Sequence, residues 1–130
     1  MSKTAPSVDL WLKEAKAEEG SARCGMYLVH NGTVRETARA RVREGDMSAP
    51  PVIGMSFHYD ADEVDRAVEE ARSLPGIYYV RVWLNEGELK VGDDIMLVLI
   101  GGDTRPHVVD ALNQLVGTIK SRCVTETEKN

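Results

Sequence analysis

Cysteine is scarce in this chain. There are two, Cys24 and Cys123, far apart and in no C-x-x-C pair. Neither a zinc site nor a thioredoxin-like redox pair is supported, and the plain reading is two reduced thiols in a cytoplasmic protein. A long apolar run is missing too: none approaches the roughly 20 residues that a membrane span needs. Residues 1–6 carry one lysine with no apolar stretch behind it, which is no secretory signal. Positive charge is not in excess. With 16 Lys and Arg against 21 Asp and Glu the net charge is −5, and a nucleic-acid partner, which calls for a basic footprint, is excluded. His30, His58 and His107 show no metal-ligand spacing, and the carboxylates form no pair of the glycosidase kind. Internal repeats and low-complexity segments are absent.

What is present fits one globular domain. Over 130 residues, 42% are hydrophobic and 28% charged, enough to bury a core without metal or disulfide staples. Leu10, Trp11 and Ala15 give residues 7–19 a helical stripe, with Ser7 able to cap it and Gly20 to stop it. Residues 24–34 have apolar side chains on both faces and predict a largely buried strand, in which Met26, Leu28 and His30 share one side. Residues 35–51 hold Arg35, Arg39, Arg41 and Arg43 among acidic residues and end in Ala49-Pro50-Pro51, the composition of a long polar loop. Residues 52–59 form a second strand.

Asp60 then stands three residues before Glu63 as a helix cap, and Ala61, Val64, Val68 and Ala71 make one buried stripe before Leu74-Pro75-Gly76 ends the helix. A strand over 77–84, a short strand with a tight turn over 87–94 and an apolar strand over 95–100, covered on both faces, come next. A last helix runs to Lys120 with Pro106 in its first turn. Residues 121–130 read as a polar tail. The order helix, strand, strand, helix, three strands, helix is that of an α+β sandwich with a mixed or antiparallel sheet and helices packed on one side.

The junction at Gly101-Gly102 points to a small anionic ligand. Glycines admit a close backbone approach, the first helical turn offers free N–H groups and a positive dipole end, and Arg105 adds a fork of donors. A plain strand-to-helix turn capped by Thr104 accounts for the same residues, and no Walker spacing is present. Arg35 leaves the end of a buried strand, where a side chain is held firmly, although a solvated arginine is the commoner case. Lys120 suits a helix C-terminus, and beside other cations it can serve as base or nucleophile. His107 lies near the Gly101-Gly102 junction, and His58 reads as structural.

Four stretches, in order, resemble the large subunit of molybdopterin synthase. Gly32-Thr33-Val34-Arg35 is similar to that family's G-x-V-R at the end of its first strand. His58-Tyr59, followed by a helix ending Glu70-Ala71-Arg72, resembles its H-Y…E-A-R stretch. Gly87-Glu88-Leu89-x-x-Gly92-Asp93 resembles its G-E-L-x-x-G-D hairpin, and Ile119-Lys120-Ser121-Arg122 its L-K-[TS]-R helix exit. The resemblance covers about 22–122, with 123–130 left as the tail. It implies an α/β-hammerhead fold and a homodimer, joined by two ubiquitin-like small subunits whose C-terminal thiocarboxylates enter the large subunits. It further implies sulfur transfer to cyclic pyranopterin monophosphate in molybdenum cofactor biosynthesis, with no metal and no cofactor. On that resemblance Lys120 matches the active-site lysine, Arg35 a strand-end arginine for the phosphate or pterin, and Arg105 the arginine of an H-R pair. Thr104 stands in place of that pair's histidine and Leu84-Asn85 in place of another H-R. The family's P-F-W-K has no counterpart, its second lysine falling at Thr127, with Lys129 nearby. A binding protein of the same fold, holding a pterin, a phosphate or a ubiquitin-like tail without turnover, is the alternative.

Overall fold

The computed structural model describes residues 2–38, 43, 45 and 47–130. Arg39 and Arg41 of the expected loop lie outside them. The elements follow in the order α1 (Val8–Ala17), a 3-10 turn (Glu19–Arg23), β1 (Met26–Thr33), β2 (Gly54–Tyr59), α2 (Ala61–Arg72), β3 (Ile77–Leu84), β4 (Gly87–Lys90), β5 (Asp94–Gly102), α3 (Arg105–Thr118), a π-helical turn (Ile119–Cys123) and β6 (Val124–Lys129).

The strands form two three-stranded sheets. The first has the order β1-β5-β3 and the second β4-β2-β6, and every pairing is antiparallel. This is the α+β class expected, in its antiparallel form. β5 is the central strand of the first sheet and is buried from Ile95 to Gly102, because both its faces are covered. One face, with Val98 and Ile100, packs under α2 and α3 through Ala67, Ala71, Val108, Ala111 and Leu115. The other, with Leu97 and Leu99, is closed by Trp11 and Ala15 of α1. Thus the two long helices share one side and the short N-terminal helix takes the opposite one. Removing any of these large side chains would cost about 2–5 kcal/mol in transfer and cavity terms.

Local chemistry fixes the ends. Ser7 Oγ accepts from Leu10 N at 3.2 Å, and Asp60 Oδ1 accepts from Asp62 N and Glu63 N at 3.0 and 3.2 Å, as the cap patterns predict. Gly92 sits at φ 92° in the β4–β5 turn, a conformation open to glycine. The expected polar tail is corrected. Residues 124–129 are a strand that pairs with β2 from Tyr59↔Val124 to Gly54↔Lys129, and with this partner β2 becomes an interior strand. The 35–51 segment is tied at its base, where Val52 N donates to Glu36 O at 2.7 Å and Ala38 is buried.

Candidate functional site

A cleft of about 540 Å³ opens where the two sheets meet, within the volume range of small-molecule sites. Arg35 and Lys120 both line it, joined by Arg43, His30 and the β6 residues Glu126, Thr127 and Glu128. Each cation reaches the cleft from a fixed neighbour. Val34 is buried, and its backbone bonds both ways to the β4–β5 turn: N donates to Asp93 O at 2.9 Å and O accepts from Gly92 N at 2.8 Å. Arg35, the next residue, therefore leaves from a pinned point, and its Nε donates to Thr37 O at 3.0 Å. Lys120 is held by the buried Ile119 and Cys123 on either side of it in the π-helical turn. Both cationic side chains are exposed at the cleft mouth.

The cleft has an apolar back, Met55, Ile95 and Met96, and mixed charge on its walls. His30 extends the Met26–Leu28 side of β1 beyond the helix-covered core and into the cleft. Burial, and secondly the Lys120 ammonium, push its pKa below the ordinary value, which leaves a neutral imidazole at neutral pH. Sequence reasoning placed His30 on the strand but missed it as a site residue, since its side of β1 reads as core. Glu126 and Glu128 were missed because their segment was read as tail. On β6 alternate residues are half-buried, and these two belong to that set.

The remaining candidates lie elsewhere. Lys129 does not line the cleft and forms an ion pair with Glu88 that holds the Glu88 carboxyl below its usual range. Thr127, not a lysine, is at the cleft wall. Gly101 and Gly102 end β5 inside the fold. A Cβ on Gly101 would stand 2.6 Å from the Tyr27 ring, and one on Gly102 2.6 Å from Gly76 O, so the close approach they permit is that of the chain to itself. Thr104 precedes α3 without a side-chain cap bond. Asp103, just before it, accepts on its Oδ1 from Thr104 N at 2.6 Å and from His107 Nδ1 at 2.8 Å. The anion at this helix end is thus the protein's own carboxylate. Arg105 is exposed at the first turn of α3, and 14 residues of helix, about 21 Å of rise, separate that turn from the Lys120 end. Within one protomer the structure brings Arg35 and Lys120 together and leaves Arg105 apart.

The family model described as "MoaE protein" matches residues 5–122. Among solved structures, a molybdopterin synthase from Staphylococcus aureus aligns with a TM-score of 0.71 at 16% identity, covering 95% of this chain and 84% of that one. A MoaE protein of molybdopterin biosynthesis from Burkholderia ambifaria gives 0.70 at 17% identity over 98% and 84%. The complex of subunits 1 and 2 of the molybdopterin-converting factor from Helicobacter pylori gives 0.65 at 16% identity over 95% and 79%. At such identities these likenesses speak for the fold. No curated protein matches by sequence. With the family match running through β1 to β5, all three helices and the turn that carries Lys120, the chain belongs to the MoaE protein family.

Proposed function

We propose that this chain is the large subunit of a molybdopterin synthase, acting in the cytoplasm in molybdenum cofactor biosynthesis. It would move sulfur from the C-terminal thiocarboxylate of a ubiquitin-like small subunit to cyclic pyranopterin monophosphate. One observation carries the reading: Lys120 and Arg35, the two residues that match the family's basic positions, share one cleft of small-molecule size. Family membership supports a role in molybdenum cofactor biosynthesis, and the two-subunit complex from Helicobacter pylori is a precedent for a second chain.

The roles follow from charge and position. Arg35 offers a fork of donors for phosphate or the pterin. Lys120 meets the thiocarboxylate or the opening ring at the cleft mouth, where its ammonium can stabilise developing negative charge. Arg43 adds a third cation to the same wall.

The test is turnover with a thiocarboxylated small subunit and the cyclic pterin. The native chain forms product, and Lys120→Ala lowers the rate by roughly a hundredfold or more while still binding the small subunit. Unchanged turnover in that variant would remove Lys120 from the mechanism. Thr127 in place of the family's second lysine favours one other reading, a binding protein without turnover. Small-subunit capture by the native chain with no product would establish it.

A further inference from the structure

The cleft contains a group that the family correspondence does not use. His30 is fixed mid-strand in β1, paired with Val98 of β5, and lines the cleft together with Lys120 and Gly32. A Cβ on Gly32 would lie 3.8 Å from His30 Nε2. The same Cβ would stand 3.2 Å from Met96 Cγ, so that nitrogen lies within contact range of the cleft-lining Gly32 and Met96. Among the described residues no hydrogen bond to the imidazole ring is formed. A half-buried, unengaged imidazole that lines a cleft together with a cation is suited to handling a proton.

The reading of the chain as a sulfur-transfer subunit, on which this inference rests, creates a need for such a group. When the thiocarboxylate sulfur attacks an electrophilic carbon of the acceptor, the electron pair of that carbon's bond to oxygen passing to the oxygen, the sulfur is joined to both partners as a thioester. Releasing it to the acceptor requires water to cut the acyl–sulfur bond. We propose that His30 is the general base of this cleft, its Nε2 taking a proton from the water that attacks the acyl carbon. The water oxygen bonds to that carbon, and one water proton passes to Nε2. The tetrahedral oxyanion collapses, the C–S bond breaks, and its electron pair leaves on sulfur as the acceptor's thiolate. The acyl fragment departs as a carboxylic acid that ionises to solvent. The imidazolium returns its proton to the thiolate or to solvent, and nothing is oxidised or reduced. Lys120, in the same cleft, faces the charge that develops on oxygen and sulfur.

The groups around the ring select it for the task. Lys120 of the π-helical turn and Arg35 and Arg43 beyond β1 are cations, β5 contributes the apolar Ile95 and Met96, and β6 contributes the carboxylates Glu126 and Glu128. As a side-chain type, an imidazole is a better base near neutral pH than a carboxylate. Burial and the Lys120 charge keep the His30 imidazole unprotonated.

The experiment is steady-state turnover against pH for the native chain and His30→Gln, with intact mass spectrometry of the small subunit. The expected result has three parts. The native rate falls on the acid side of His30's pKa, below pH 6.5. His30→Gln slows product release by roughly a hundredfold or more and loses that acid limb. The small subunit accumulates as its acyl-linked adduct. If His30→Gln does not fold, His30→Phe keeps a flat ring in the same place and is held to the same outcome. An active native chain whose His30 variants release sulfur at the native rate, with the same acid limb, overturns the assignment. A native chain that forms neither adduct nor product overturns the sulfur-transfer reading instead, and this step with it.

Discussion

Single side chains decide what this fold can do at its surface, and Asp103 shows the pattern. A helix N-terminus behind two glycines and beside an arginine reads as an anion site. The anion present is Asp103, which accepts from Thr104 N and His107 Nδ1. The His107 bond, ahead of the Thr104 amide, holds the Asp103 carboxyl below its ordinary value. The folded pKa lies under the unfolded one, so its stabilisation is fully present above about pH 4 and is lost as pH falls through the folded value. Asp103→Asn should melt below the native chain near neutral pH, and the gap in Tm should close as the solution is made acid. A gap that does not change with pH would mean that the Asp103 contacts to Thr104 and His107 stabilise through hydrogen bonding alone, without charge. The sequence contained Asp103 in plain view. Its role was not legible because Thr104, one residue on, is itself a cap type, and only the folded backbone shows that the Asp103 carboxylate bonds the Thr104 amide and the His107 ring.

At the level of elements, helices were legible and one strand was not. α2 declared itself through Asp60, Glu63 and a stripe at helical spacing, and its cap bonds form as expected. β5 declared itself through an unbroken apolar run, which a strand covered on both faces requires. β6 has one aliphatic residue, Val124, followed by alternating threonine and charge. An edge strand with one side on a polar cleft needs no apolar stripe, so hydrophobic periodicity has nothing to report. That omission also hid half the cleft wall, since Glu126, Thr127 and Glu128 come from this strand. Ending the chain at Cys123 should therefore do two things. β2 loses its β6 ladder and becomes an edge, which should lower Tm by roughly 5–10 °C. Amide exchange should quicken along residues 54–59 while β5, in the other sheet, keeps its protection. Equal loss of protection in both sheets would show that the two fold as one cooperative unit, not as separable layers.

For the molecule as a whole, the question is how three cations far apart in sequence could serve one ligand. The net charge of −5 hides a local concentration of Arg35, Arg43 and Lys120 around one opening, which a sum over the chain cannot reveal. Arg35 and Lys120 were legible because short motifs mark them and because strand ends and helix exits hold side chains in place. Arg105 was legible as a residue but not as to its place, since a straight 14-residue helix keeps it from its own Lys120. A second copy removes the difficulty. We propose that the chain works as a homodimer in which Arg105 of each protomer completes the cleft of the other, as a two-fold contact allows. Light scattering should then give twice the protomer mass at micromolar concentration. Lys120→Ala and Arg105→Ala, each impaired alone, should rescue one another when mixed and allowed to exchange. Half the dimers would be mixed, each with one cleft that retains both cations, so about a quarter of native turnover should return. Arg105→Ala at full activity, or mixtures no better than the average of the two variants, would place Arg105 outside the chemistry and leave each protomer's cleft to work with its own residues.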